Sequence, residues 1–329
     1  MEDVAAFSAS SRFTAALRGS LGNYVALVAA LIMMVALFGS LSQYFFSMST
    51  FLTIANDIPA IVVTSVGMTF VLIIGGIDLS VGSVMALAAA VAGIAMLQWH
   101  WPLYLAVFIA MGVGMVAGFL NGAISVAWRL PSFIVTLGML EVARGAAYIA
   151  THSRTQYIGS AVEWLSKPFL VGLSPSFVIA LLIVGVAQLV LTRSVFGRYM
   201  IGIGTNEEAM RLAGVDPRPI KVMVFAIAGL LAGLAGIIQC SRLEAADPNA
   251  GIGMELVVIA SVVIGGTSLM GGRGSVINTF FGVLIISVLE AGLAQIGANE
   301  PTKRIITGCV IIVAVILDMY RERRRNRRA

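Results

Sequence analysis

The sequence predicts an all-α fold: a polytopic bundle of about ten transmembrane helices, with broken or re-entrant segments and both termini cytoplasmic. Three observations carry this. Of 329 residues, 59% are hydrophobic and 11% charged, whereas soluble domains carry about 25% charged residues. A soluble chain of this composition would lack a polar surface. Apolar runs recur along the whole length, and a hydrocarbon core about 30 Å thick takes roughly 20 such residues per helix. The basic residues between those runs fall mostly on one side, as they do in membrane proteins with a fixed orientation.

The candidate spans lie at about 21–39, 57–75, 79–98, 103–127, 131–150, 174–192, 221–241, 255–270, 275–297 and 303–319. The first follows Arg12 and Arg18 and is long enough to stay in the membrane, unlike a cleaved leader. The eighth is short for a full crossing and reads as a broken or re-entrant segment, so eight spans plus re-entrant pieces is the alternative. With a cytoplasmic N-terminus, the inside holds Arg12, Arg18, Arg129, Arg193, Arg198, Arg211, Arg218, Lys221, Arg273 and the arginines after residue 320. The outside holds Arg154, Lys167, Arg242, Lys303 and Arg304, while Arg144 falls within a span. The expected organisation is a cytoplasmic segment over 1–20, one membrane domain over 21–320 and a basic tail over 321–329.

Charge and cysteine content exclude several classes. The net charge of +5 owes much to Arg321, Arg323, Arg324, Arg325, Arg327 and Arg328. Placed after an apolar helix, these read as an anchor at anionic lipid headgroups. No nucleic-acid partner is expected, because neither interleaved aromatics nor a recognition fold accompanies the charge. Cys240 and Cys309 sit at or within apolar stretches and read as small hydrophobes, not as a disulfide framework. His100 and His152 are far apart, so no metal site is expected. There is no Gly-x-x-x-x-Gly-Lys-Ser/Thr loop to cradle ATP phosphates, and no hydrolase or metalloprotease motif.

Glycine is used in patterns. Gly112, Gly114 and Gly118, and later Gly229, Gly233 and Gly236, have the small-residue spacing that lets membrane helices approach closely. A weak internal echo is also present. Residues 75–82 (Gly-Gly-Ile-Asp-Leu-Ser-Val-Gly) and 265–272 (Gly-Gly-Thr-Ser-Leu-Met-Gly-Gly) share Gly-Gly-x-x-Leu-x-x-Gly. Both interrupt apolar runs, as paired breaks do at transport pathways or in structural repeats. Gly75, Gly76, Gly265 and Gly266 are therefore candidate structural breaks.

The longest polar stretch between spans runs from Arg193 to Lys221. Its centre predicts a short helix. Asn206 is a good N-cap, Glu207 and Glu208 suit the first turn, and Gly214 can close the C-terminus. Pro217 and Pro219 prevent continuation. Met210, Leu212 and Ala213 offer apolar contacts and Arg211 a charged one, which suits docking against another protein; an ordinary ordered loop is the alternative.

This stretch resembles the coupling segment of sugar-type ABC permeases, the ribose, xylose and arabinose permease family. The resemblance rests here on Gly197-Arg198, Gly204-x-Asn206-Glu207-Glu208-Ala209, Ala213-Gly214-Val215 and Ala228-Gly229-Leu230-Leu231-Ala232-Gly233. Met210 stands where a second alanine is commoner. Residues 75–83, Asn121-Gly122, residues 131–138, Arg144-Gly145 and residues 265–275 also match, in order, from about residue 25 to residue 320. Arabinose-type members look nearest. The resemblance implies alternating access in a dimer, with a homodimer as the expectation. It also implies a cytoplasmic ABC ATPase that holds the ATP and Mg, and a periplasmic sugar-binding protein. No cofactor is expected in this chain. Asn206, Glu207, Glu208, Met210, Arg211, Leu212 and Gly214 would then couple it to the ATPase.

Several polar or aromatic residues in or near the spans are pathway candidates. Asp78 reads as an N-cap for the next span, with Ser80 as a second cap; direct sugar contact is the alternative. Asn121 and Thr136 can bond a sugar hydroxyl or a neighbouring helix. Phe70 and Phe133 can stack on a sugar or simply pack. Asn56 and Asp57 lie at an outer span end and can line the way in or face water. Glu141 and Arg144, three apart on one face, can pair. An ion-coupled secondary sugar transporter is the rival class, with Asp78, Glu141, Glu290 or Asp318 as its ion site.

Overall fold

The structure is a computed structural model that describes residues 24–169 and 171–326. Residues 1–20 of the expected cytoplasmic segment, with Arg12 and Arg18, and the last two tail arginines, Arg327 and Arg328, lie outside the described residues. The helices are α1 (Tyr24–Leu41), α2 (Met48–Asp57), α3 (Pro59–Ile73), α4 (Val81–Gln98), α5 (Leu103–Ala127) and α6 (Ser132–Thr151). They continue with α7 (Pro175–Arg193), α8 (Val195–Thr205), α9 (Glu207–Leu212), α10 (Pro217–Leu243), α11 (Met254–Ile264), α12 (Val276–Gln295) and α13 (Glu300–Asn326). Two short strands, β1 (Gln156–Tyr157) and β2 (Ala245–Ala246), pair antiparallel with Gln156 opposite Ala246.

The all-α polytopic class expected from the sequence is what the structure shows. The number of spans is lower than ten. Among the described residues, seven helices are long and apolar enough to cross a membrane, or eight if the bent pair α2–α3 is one span. The two missing spans have physical reasons. Over 255–270 only α11 forms, 11 residues long. The chain then leaves helical geometry at Gly266, Gly271 and Gly272, whose φ values are +85°, +88° and +75°, a region that glycine enters without steric cost. In α13, Lys303, Arg304 and Asp318 leave only residues 305–317 free of charge.

Helix α3 organises the bundle. It is buried at every position but Ile61, as expected of a helix that is apolar all round. Helices α10, α7, α12, α11 and α8 pack around it. Its axis turns 47° from that of α2 at Ile58, where Pro59 follows as the first residue of α3. Proline lacks an N–H for the preceding turn, so the helix breaks there.

The glycine patterns become close backbone contacts. A Cβ on Gly118 would sit 2.1 Å from the Phe225 carbonyl oxygen, and one on Gly229 would sit 2.1 Å from that of Gly114. Helices α5 and α10 thus meet backbone to backbone, which only glycine allows. Without a hydrophobic driving force between helices in lipid, such tight packing is a principal source of cohesion.

One end of the bundle gathers the C-ends of α3, α5, α7 and α8 and the N-ends of α4, α6, α10 and α12. Four contacts tie it together. Ile77 N–H donates to Ser132 Oγ (2.9 Å) and Val276 N–H to Gln188 Oε1 (2.9 Å). Gly122 abuts Val222, and Gly204 abuts Ile73. The residues expected inside, Arg129, Arg193, Arg198, Arg211, Arg218, Lys221 and Arg273, all lie in segments at this end. We call it the inner end and the opposite one the outer end.

Candidate coupling face and transport pathway

At the inner end the polar stretch folds as α8–α9–α10, each start fixed by a local cap. Ser194 Oγ accepts from Gly197 N–H at 3.0 Å and opens α8. Asn206, at φ −160° and ψ 98°, breaks the helix and accepts from Ala209 N–H at 2.9 Å, opening α9. Glu207 and Glu208 occupy the first turn of α9 and Arg211 its last, the arrangement the helix dipole favours. Gly214, at φ +83°, closes it: its N–H donates to Arg211 O, and Val215 N–H donates to Met210 O at 3.0 Å. Asp216 then caps α10 by accepting from Arg218 N–H at 3.0 Å.

No residue of α9 is buried. Leu212 is 83% exposed, a large apolar side chain offered to the inner side. Arg211 and Glu208 pair loosely at 3.7 Å, while Lys221 of α10 pairs closely with Glu207 and straps α9 to the bundle. Met210 is half-buried, with its sulfur folded over Gly202. Glu208, Arg211 and Leu212 are therefore the outward-facing members of the set singled out in the sequence.

The end of α8, which leads into α9, is locked to the centre of the fold. A Cβ on Gly204 would lie 1.8 Å from Ile73 O and 2.4 Å from Gly272 N. Gly272 N–H donates to Ile73 O at 2.8 Å. Thr205 lies against Gly272, and Gly271 lies against both Gly204 O and Gly75 N. Three backbones meet without side chains between them: the end of α3, the end of α8 and the 271–272 turn. The two echoing glycine segments, 75–82 and 265–272, thus meet at this junction. The sequence marks the glycines but not their convergence, because nothing local to Gly204 says which carbonyl it will face.

The segment after α3 is held from several sides. Asp78 is 2% exposed. Its Oδ1 accepts from Ser80 N–H (2.8 Å) and Ser80 Oγ–H (2.6 Å), and Asn121 Nδ2 donates to Ser80 Oγ at 2.9 Å. Leu79 N–H donates to Thr136 Oγ1 at 3.0 Å. Asp78, Asn121 and Thr136 come together around the segment before α4, but Asp78 is not the expected N-cap: Ser80 holds that position and makes no side-chain capping bond, because its hydroxyl is turned to Asp78 Oδ1. Asn121 Oδ1 alone among their oxygens is buried without a partner.

The other expected pathway residues lie elsewhere. Asn56, near the outer end, clamps the 172–174 turn, donating to Gly172 O and accepting from Ser174 N–H. Phe70 is buried within α3, and Phe133 is 48% exposed on α6. Gly265 packs against the backbone of Asn278. The expected pairing of Glu141 with Arg144 does not form. Arg144 instead reaches across to the carbonyls of Pro248 (2.5 Å) and Ala250 (2.9 Å), two acceptors that converge in the loop beside α6.

A cavity of about 540 Å³ opens near the outer end between α2, α3, α10 and α12. Asp57 pairs with Arg242 there at 3.2 Å. Sequence reading placed Asp57 at an outer span end and named Glu290 only as a possible ion site; the pairing across 185 residues has no local signal.

Fold and site define a class: a multi-pass inner-membrane transport protein that presents a short, exposed helix at its inner end. The chain belongs to the permease-component family described for branched-chain amino acid transport systems, which it matches over residues 50–315. It is 38% identical to the ribose import permease protein of Haemophilus influenzae over 296 residues, covering 88% of this chain and 91% of that one. It is 32% identical to the fructose import permease protein of Rhizobium meliloti over 305 residues (90% and 85%). A probable ABC transporter permease protein of Escherichia coli K12 is 30% identical over 307 residues (93% and 92%). No solved structure matches.

Proposed function

We propose that the chain is the translocation subunit of an ATP-binding-cassette importer that carries a monosaccharide, a pentose or related sugar, inward by alternating access. The family description names amino acids, but two of the relatives quoted above are named as sugar import permeases, which supports the sugar reading. ATP and Mg bind a separate cytoplasmic ATPase that docks on α9. A periplasmic sugar-binding protein delivers the substrate, and two copies of this chain form the membrane unit. Membrane lipid surrounds the apolar outer faces of the spans.

The carrying observation is the backbone junction between α3 and the end of α8, which leads through Asn206 into α9. A docking helix on a flexible loop would absorb a push. Here α9 follows α8 after the single residue Asn206, and the end of α8 packs against Ile73 of the central helix through Gly204 and Gly272, so a push passed from α9 to α8 must displace α3 or open the junction. The push shifts the conformational equilibrium only if the ATPase contacts α9 differently in the two states.

The test replaces Glu208, Arg211 and Leu212, the outward-facing members, by alanine together, in vesicles containing the chain with its ATPase and binding protein. Sugar-stimulated ATP hydrolysis is expected to fall to the unstimulated rate while the chain still inserts and melts normally. Unchanged stimulation would refute docking on α9. A second reading, ion-coupled secondary transport, is favoured by one observation: Glu290 lies within α12 with no hydrogen-bond or ion-pair partner among the described residues.

A further inference from the structure

We infer that the outer cavity between α2, α3, α10 and α12 is a binding site for a neutral polyhydroxylated ligand, with Glu290 as its principal acceptor. This rests on the monosaccharide reading above and gives it a location at the outer end, where Asp57 is the one sequence-derived pathway candidate in the lining.

The argument begins with volume. The cavity measures about 540 Å³, within the range of about 300–1,000 Å³ typical of small-molecule sites. It lies at the C-ends of α2, α10 and α12, so a ligand arriving from the outer side meets it first. Its polar lining is varied: Asp57, Arg242, Glu290, Gln295, Thr53 and Ser287. Ile58 and Ile61 supply an apolar wall, suited to the C–H face of a sugar ring.

Charge narrows the ligand class. Arg242 is engaged by Asp57 at 3.2 Å, which leaves no free cation among the described lining residues to attract an anion. Gln295 Nε2 donates to Thr50 Oγ1 at 2.7 Å, so its carbonyl oxygen is a second acceptor at the rim. Glu290 contributes two carboxylate oxygens with no donor assigned to them among the described residues. A ligand rich in O–H donors satisfies such acceptors. Hydrogen bonds to an ionised carboxylate are roughly twice as strong as neutral ones. An apolar ligand would leave the acceptors buried and unpaired, which is unfavourable.

The experiment uses the full transporter in vesicles, with D-ribose and D-fructose as probes. Glu290→Gln keeps the shape and removes the charge. Loss of a charge-assisted hydrogen bond should raise the apparent KM roughly 10- to 100-fold, equivalent to about 1.4–2.8 kcal/mol. A second measurement does not depend on turnover. Thr53→Cys, in a Cys309→Ser background, should react with a membrane-impermeant maleimide from the outer side, and saturating sugar should protect it. If the unsubstituted transporter moves neither sugar with ATP, the monosaccharide reading fails. If it moves sugar while Glu290→Gln keeps its KM within twofold and the thiol introduced by Thr53→Cys is not protected, this inference is overturned and that reading stands.

Discussion

Substituting Gly204 by alanine should uncouple the chain from its motor while leaving the membrane bundle assembled. The added Cβ would fall 1.8 Å from Ile73 O and 2.4 Å from Gly272 N. Both are backbone atoms that no rotamer change can move. Carbon contacts are most favourable at about 3.5–4.0 Å, so the end of α8 must retreat from α3 by roughly 1.5 Å or more. Overpacking of this kind costs about 1–3 kcal/mol. The retreat also endangers the Gly272 N–H···Ile73 O bond, 2.8 Å long, whose loss costs a further 1–3 kcal/mol or so if the groups stay buried. At 1.4 kcal/mol per decade, even the lower part of that range shifts a two-state equilibrium more than about tenfold. The assay is ATP-driven sugar uptake together with sugar-stimulated ATP hydrolysis in vesicles. Gly185→Ala is the control, because a Cβ there meets nothing within 4 Å and alanine favours a helix by up to about 1 kcal/mol. Uptake by Gly204→Ala should drop at least tenfold against Gly185→Ala. Equal uptake by the two variants would refute the rigid junction.

Two further outcomes follow from the packing. Asp78→Ala removes the acceptor for Ser80 N–H and Ser80 Oγ–H in a buried segment, so thermal melting should show a loss of about 2 kcal/mol or more; Asp78→Asn, which keeps Oδ1, should lose less. Gly118→Ala places a Cβ 2.1 Å from Phe225 O and should force α5 from α10, lowering the yield of folded protein in detergent, whereas Gly138→Ala, with open space around it, should not.

Much of this architecture is legible in the sequence. Apolar runs mark α4, α5, α6, α7, α10 and α12 nearly to their ends because each must cross a membrane. Asn206, the two glutamates and Gly214 specify α9 because capping is local chemistry. Span counting fails where composition and backbone disagree: residues 255–270 are apolar, yet Gly266, Gly271 and Gly272 adopt positive φ and end the helix early. The role of polar residues in or near the spans is not legible in the sequence. Asp78, Asn121 and Thr136 are engaged in fixing the loop after α3, and Asn56 clamps the 172–174 turn. A polar side chain in a span has the same sequence signal whether it serves a ligand or a neighbouring backbone. The outer cavity is invisible for a related reason: Asp57, Arg242 and Glu290 are brought together only by the tertiary fold.

The central claim is that a separate ATP-hydrolysing partner drives transport through α9. It is tested most directly by sugar uptake into vesicles that hold this chain either alone under an imposed proton or sodium gradient, or with its ATPase, its binding protein and ATP but no gradient. The account predicts uptake only in the second case. Uptake by the chain alone, driven by either gradient, would contradict it and would make Glu290 the first residue to examine as the ion site.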